Sequence, residues 1–185
     1  PTWDDWARIA FQDHGIKFNT SYLNRLQKDY GKIPEQVWDS KINKVVFRGS
    51  STGEGVTIDT NPRLKVCSIQ DDRLDVGITS WNLRPRAHPV VSQRAGPTHR
   101  EGFGLHTISE DIQNSIGLKE PLDSMEQSGY KYILHIPGHS CAFRLSMELG
   151  MNVVVLLVKS PYTLWFHKFL LEGTHYLHVK SDLSN

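Results

Sequence analysis

Two short stretches of this sequence carry the residue types that hold anions. The first, Phe47-Arg48-Gly49-Ser50-Ser51-Thr52-Gly53, places a fixed positive charge, glycines and hydroxyls directly after the apolar run Lys44 to Phe47. A strand ending in such a loop can hold phosphate through backbone N–H groups and hydroxyls. No Gly-Lys-Ser/Thr follows, so it is not a Walker loop, and it does not match GxGxxG. The plain alternative is a turn whose arginine pairs with a surface acid. The second stretch, Tyr130 to Arg144, reads YKYILHIPGHSCAFR. It predicts a strand over Tyr130 to Ile136, a break at Pro137-Gly138, and a helix from Ser140 to Leu149 with Ser140 as its cap and Arg144 about one turn inside. A strand, a glycine turn and a helix N-terminus present free N–H groups to an anion, and arginine adds a planar donor fork. Together the two stretches point to a nucleotide diphosphate.

The residues around them have two readings each. His139 can donate to a phosphate or be a solvent-facing turn residue. Glu148, one turn beyond Arg144, can bind a ribose hydroxyl pair or pair with Arg144 at i,i+4. Asp75 can orient Arg48 or cap a strand end. Cys141 has no identifiable base and reads as a small packed residue, and His167, His175 and His178 share no metal spacing. Near the start, Trp3, Asp5 and Trp6 either pack and cap a helix over Trp6 to Phe11 or offer indole faces to a sugar ring.

The elements that must position these groups read as follows. Ser21 to Tyr30 and Pro34 to Ile42 are helical by spacing and capping. Lys44 to Phe47 is a buried strand, and Asn61-Pro62-Arg63 opens a helix to about Ile69. Leu74 to Trp81 is a strand. Arg84 to Gly104, with four arginines, three prolines and no periodicity, is a loop insertion. Short helices over Ser109 to Ile116 and Pro121 to Gln127 precede the central strand. Asn152 to Val158 is a continuous apolar strand, Pro161 to Leu171 a helix, and Thr174 to Val179 a last strand. The alternation predicts an α/β, Rossmann-like domain with a mostly parallel sheet over 44–185, preceded by a helical lead-in over 1–43.

The 185 residues suffice for one domain with a hydrophobic core. A net charge of +1 gives no global case for nucleic acid or an anionic membrane, and no apolar run is long enough to span a bilayer. Two cysteines make no disulfide framework. Pro1-Thr2-Trp3 starts without methionine, and Ser181 to Asn185 reads as a cap with no helix after it, so the chain is expected to be a piece of something longer.

In order and spacing, several segments resemble the CAP10 or protein O-glucosyltransferase-like glycosyltransferases, family 90. They are Phe47-Arg48-Gly49-Ser50 with Thr52, Asn61-Pro62-Arg63, Asp75 through Thr79, Tyr130-Lys131-Tyr132 through Gly138, Phe143-Arg144, and His175 through Asn185. The resemblance implies the C-terminal half of a GT-B fold and an inverting, metal-independent transfer of glucose or xylose from a UDP-sugar to a hydroxyl on protein or glycan. It places Arg48 and Arg144 on the diphosphate, with Gly49, Ser50, Thr52, Gly138 and Ser140 lining the cradle and Phe143 beside it. It also implies a catalytic aspartate in an N-terminal domain, ahead of this chain and not transferable to Asp4 or Asp5. Secreted members carry cysteines where Ser128 and Met151 stand, which points to a cytosolic, bacterial or viral relative. Two further classes remain: a non-catalytic nucleotide- or glycan-binding module, and an RNA- or protein-binding surface on the Arg84 to Arg100 loop.

Overall fold

Side chains alternate across a strand, so a sheet covered on both faces must bury both sets. The computed structural model describes residues 38–87, 105–139 and 142–184, all within the compact unit Pro34–Asn185. Its elements run β1 (Ile42–Ser50), α1 (Pro62–Ser68), β2 (Leu74–Ser80), β3 (Arg86–Ala87), β4 (Leu105–His106), α2 (Glu110–Ile116), α3 (Ser124–Ser128), β5 (Tyr130–His135), α4 (Leu145–Glu148), β6 (Val154–Val158) and β7 (Leu177–Val179). Five of the strands form one sheet in the order β2-β1-β5-β6-β7, and every pairing in it is parallel. The fold is the expected Rossmann-like α/β arrangement.

One face buries Phe47, Val76, Ile78, Leu134, Ile136 and Val158 against Leu64 of α1 and Ile108. The other buries Val155 and Leu157 against Leu145 of α4, Leu164 and Phe166. Adjacent residues of β6 thus serve opposite layers, as a doubly covered strand requires. Counted in sequence within this sheet, the strand order is 2-1-3-4-5, and it reverses between β1 and β5. Loops leave the carboxyl ends of those two strands at this reversal, the crevice position where open α/β sheets bind ligands. Both arginine-bearing stretches leave the sheet there.

At the amino end of the sheet, Lys41 is buried and its ammonium donates to Ser128 O at 2.8 Å, Met151 O at 3.2 Å and Asn152 O at 2.6 Å. The three bonds use all its donors and join the end of α3 to the turn before β6. Lys41 therefore bridges Ser128 and Met151, the two places where the resemblance expects cysteines in secreted members.

Several boundaries differ from expectation. The segment expected to be helical from Pro34 to Ile42 has, among its described residues, a 3-10 turn at Trp38–Ser40 before β1 begins at Ile42. Pro161 to Leu171 is not a helix; it holds a 3-10 turn at His167–Phe169. Its buried residues Leu164 and Phe166 sit on a turn closed by His167 N donating to Leu164 O at 3.0 Å, too short to carry a helical stripe. The expected loop from Arg84 starts with a two-residue ribbon, Arg86 pairing with His106 and Ala87 with Leu105. The last strand is confined to Leu177–Val179. The expected helices over Trp6 to Phe11 and Ser21 to Tyr30 lie outside the described residues. No helix among the described residues is long and apolar enough to cross a membrane.

Candidate functional site at the switch point

The loop after β1 is shaped by donors that occupy its carbonyls. Asn61 caps α1 by accepting from Arg63 N at 3.0 Å, while its amide donates to Ser51 O at 3.2 Å and Gly55 O at 3.1 Å. Arg86, 7% exposed, donates to Gly55 O at 2.7 Å and to Asn82 O at 2.7 Å. Ser51 is fully buried, and its hydroxyl accepts from Asn82 N at 2.7 Å. Of the three hydroxyls in the loop, those of Ser50 and Thr52 therefore remain near the crevice.

Arg63 is the central link. Its guanidinium donates to Ser50 O at 2.8 Å and Thr52 Oγ1 at 2.7 Å in the first loop, and to Ile136 O at 2.8 Å and Pro137 O at 3.2 Å in the second. Burial, then the nearby Arg144 charge, disfavours its protonated form and pushes it down to about 9, which still leaves it a cation at neutral pH. Arg144 approaches from the other side. Its Nη1 donates to Arg48 O at 2.6 Å, and the guanidinium lies over the Phe47 ring at 5.2 Å, with that of Arg63 at 5.7 Å from the same ring.

Glycines permit this convergence. A Cβ on Gly49 would sit 3.4 Å from Arg63 Nη1 and 3.5 Å from Arg144 Nη1. On Gly138 it would sit 2.8 Å from Thr52 Oγ1 and 3.3 Å from Arg63 Nη2. The pairing of β1 with β2 also slips between Gly49 and Ser50, where the strand leaves the sheet.

Glu148 is 2% exposed, and its carboxylate faces inward: Oε2 lies 2.5 Å from His135 Nδ1, and Oε1 lies 2.9 Å from Arg144 Nε. The Arg144 contact is an ion pair by distance, but the N–H does not aim at the oxygen, and neither atom completes a hydrogen bond. Burial alone would raise the Glu148 carboxyl, yet the charges of Arg144 and His135 outweigh it and hold it below the usual range. Of the two readings for Glu148, the geometry has the ion pair; the carboxylate offers no surface to a ribose.

Arg48 is placed differently from expectation. Its guanidinium, on a residue 9% exposed, donates to Asp75 Oδ1 at 2.8 Å, Asp75 O at 2.7 Å, Glu120 O at 3.1 Å and Phe47 O at 3.0 Å. Asp75 also accepts from Lys119 at 3.1 Å and from the Tyr130 hydroxyl. Burial would raise the Asp75 carboxyl, but the bonds from Tyr130, Arg48 and Lys119 prevail and hold it down to about 2. So Asp75 does orient Arg48, and what joins Arg48 to Arg144 is the Arg48 backbone carbonyl.

His139 lies half-buried beside the first loop. Burial, then Arg86 and Arg84, push it below the ordinary histidine value, while its Nε2 is buried with no partner. Phe143 is 69% exposed next to Arg144. The helix expected from Ser140 begins only at Leu145, and Arg144 stands at its N-cap position without a side-chain cap bond. A four-residue helix supplies no N-terminal field of consequence, so the positive potential here comes from side chains. Ser140, Cys141, Trp3, Asp5 and Trp6 lie outside the described residues. Cys67 is the free thiol among them; burial pushes it up to about 12, which leaves no reactive thiolate. No group of three or more His, Cys, Asp or Glu gathers as a metal site among the described residues.

Beside the crevice, at the carboxyl ends of β5, β6 and β7, lies a cleft of about 230 Å³ whose walls include His135, Pro137, Lys159, Tyr162, His167 and His178. Pro137 is shared with the Arg63 network. His167 Nδ1 accepts from Leu164 N at 3.1 Å, which puts its proton on Nε2.

Fold and site define a Rossmann-like α/β domain with its cationic centre at the topological switch point. The chain belongs to glycosyl transferase family 90, whose sequence profile matches residues 1–185. It is 36% identical over 192 residues to "Uncharacterized protein 035R" of Invertebrate iridescent virus 3, covering 100% of this chain and 16% of that protein. It is 34% identical over 223 residues to "Uncharacterized protein 179R" of Invertebrate iridescent virus 6, covering 100% of this chain and 17% of the relative. A third relative, "Uncharacterized protein 027R" of Frog virus 3, is 36% identical over 163 residues, covering 80% of this chain and 15% of the other. The chain therefore spans about a sixth of the length of these relatives.

Proposed function

We infer that this domain binds the donor of an inverting glycosyltransferase, a UDP-sugar whose hexose or pentose (glucose or xylose) passes to a hydroxyl on protein or glycan. The observation that carries the reading is the imbalance of charge at the switch point. Among the described residues, Arg63 and Arg86 are buried with only neutral acceptors, Arg144 is partly exposed, and Glu148 is the single buried carboxylate beside them. Buried cations are costly unless neutralised. A diphosphate bound over Gly49 and Gly138 would supply the missing negative charge, with Thr52 and Ser50 as hydroxyl donors. The cleft next to it has room for the organic part of a nucleotide, and Phe143 offers an exposed ring.

In the reaction, Arg144 would stabilise charge growing on the departing UDP, the role of preorganised donors in leaving-group departure. Arg48 can join it only by exchanging its Asp75 bond for a phosphate oxygen. The acceptor hydroxyl would be deprotonated by a carboxylate contributed by another domain of the same protein. No metal is required in this scheme. The test is transfer by the full-length protein from labelled UDP-glucose and UDP-xylose, with Arg144→Ala as control. Transfer at the wild-type rate by that variant would refute the site assignment; a wild-type protein that binds UDP but transfers neither sugar to any hydroxyl acceptor would favour a non-catalytic binding module.

A further inference from the structure

Arg63 stood in the sequence as the residue after a helix-opening proline, in one of the segments that carry the resemblance, and the structure bonds its side chain to both loops of the crevice. It lies 6% exposed, and all four of its bonds go to neutral oxygens: Ser50 O, Thr52 Oγ1, Ile136 O and Pro137 O. Among the described residues no carboxylate bonds to it directly, and the neighbouring Arg144 carries the same sign. A purely structural cross-link would not need a charge there, because neutral donors could satisfy the same carbonyls at lower desolvation cost.

The two glycines give the charge an outlet. At Gly49 and at Gly138, the space a side chain would take lies 3.4 and 3.3 Å from the two terminal nitrogens of Arg63. Glycine at both positions leaves the edge of a buried guanidinium within reach of whatever rests on the loops. The same arginine turns the Thr52 hydroxyl into an acceptor towards itself, so that the hydroxyl proton is available to point outward.

Resting on the donor-binding reading above, we propose that Arg63 is a positioning residue that fixes the spacing of the two loops and supplies, through the Gly49 and Gly138 windows, the charge that selects a diphosphate over a monophosphate. A ligand with one phosphate is served by Arg144; the second phosphate needs the field of Arg63.

The experiment is titration of the full-length protein with UDP, UMP and uridine, for wild type, Arg63→Lys, Arg63→Gln and Gly49→Ala, with the melting temperature of each. In Arg63→Gln the preference for UDP over UMP is expected to fall at least tenfold while uridine affinity stays level. Arg63→Lys keeps the charge but loses bonds, so it should melt lower than wild type and yet retain most of the preference. Gly49→Ala leaves the Arg63 side chain in place but sets a Cβ 3.2 Å from Phe47 Cζ and 3.4 Å from Arg63 Nη1; it is expected to weaken UDP several-fold with a modest fall in melting temperature, and it carries the test if both Arg63 variants fail to fold. Unchanged UDP-to-UMP ratios in the folded variants would overturn the proposal and leave Arg63 a structural tie. A wild-type protein with no preference for UDP over UMP would instead overturn the donor-binding reading on which it rests.

Discussion

Two arginine clusters sit on the same sheet and have opposite electrostatics. Around Arg48, one guanidinium meets a carboxylate, Asp75, which also receives Lys119 and Tyr130, and every guanidinium nitrogen has an acceptor. Around Arg63 and Arg144, two guanidiniums share the Phe47 ring, and the only carboxylate among the described residues there, Glu148, is divided between Arg144 and His135. The first cluster is nearly balanced and reads as scaffold. The second is short of negative charge and lies where glycines bare the backbone. The difference teaches that motif membership alone does not locate the ligand. Arg48 heads the more recognisable loop, but the unneutralised charge stands one residue further on, beside Gly49.

The comparison can be broken most sharply at Glu148. Removing a buried carboxylate that serves two partners costs about 3–5 kcal/mol, so Glu148→Ala should lower the urea midpoint strongly. Saturating UDP should recover more stability in that variant than in wild type, because the ligand then supplies the only negative charge. Equal recovery in both would mean the second cluster is no more ligand-dependent than the first.

Next in size is Arg144→Ala in the full-length protein. Loss of one preorganised donor to a developing anion slows chemistry by about 100- to 1,000-fold, while Glu148 keeps His135 as a partner, so the fold should survive at lower stability. Rates of transfer and the far-ultraviolet circular dichroism spectrum check the two halves of that statement.

Lys41→Met comes third, at about 1–3 kcal/mol, the cost of leaving buried carbonyls unpaired. It should shift the melting temperature and leave UDP affinity alone, since Lys41 lies at the opposite end of the sheet from the crevice. A loss of affinity without a loss of stability would contradict that separation.

The smallest effect is a change in pH dependence. Asp75 is held down to about 2 in the folded protein, below the ordinary aspartate value of about 3.9. Its contribution to stability is complete above pH about 4 and is lost as the pH falls towards 2, because the unfolded chain takes up the proton first. Asp75→Asn should flatten that acid limb in urea titrations and, at neutral pH, lower stability in a way UDP does not restore. If UDP affinity rose in Asp75→Asn, the freed Arg48 would be reaching the ligand, and the balanced cluster would be a reserve for the second.

Much of this was legible in local pattern. The runs Lys44 to Phe47, Leu74 to Trp81, Tyr130 to Ile136 and Asn152 to Val158 all became parallel strands, and Asn61-Pro62 opened α1 with the expected cap. Strand and cap signals survive because they depend on neighbours in sequence. The role of Arg63 was not legible because it depends on Ile136 O and Pro137 O, more than seventy positions away. Nothing in Asn-Pro-Arg distinguishes a buried cross-link from a solvated helix residue. The helix expected from Ser140 starts at Leu145 instead, since small polar residues permit a helix without requiring one. The Pro161 to Leu171 segment misled through composition: its aromatic residues are apolar enough for a helix face, but Trp165 and Phe169 are exposed and the buried pair Leu164 and Phe166 lies on a tight turn.

The central claim is that the switch-point cluster lacks negative charge that a diphosphate supplies. Titrating the full-length wild-type protein with UDP and with UMP at two salt concentrations tests it most directly. The account predicts UDP binding tighter than UMP by at least tenfold, with the gap narrowing as salt rises. Equal affinities at both salt concentrations would contradict it.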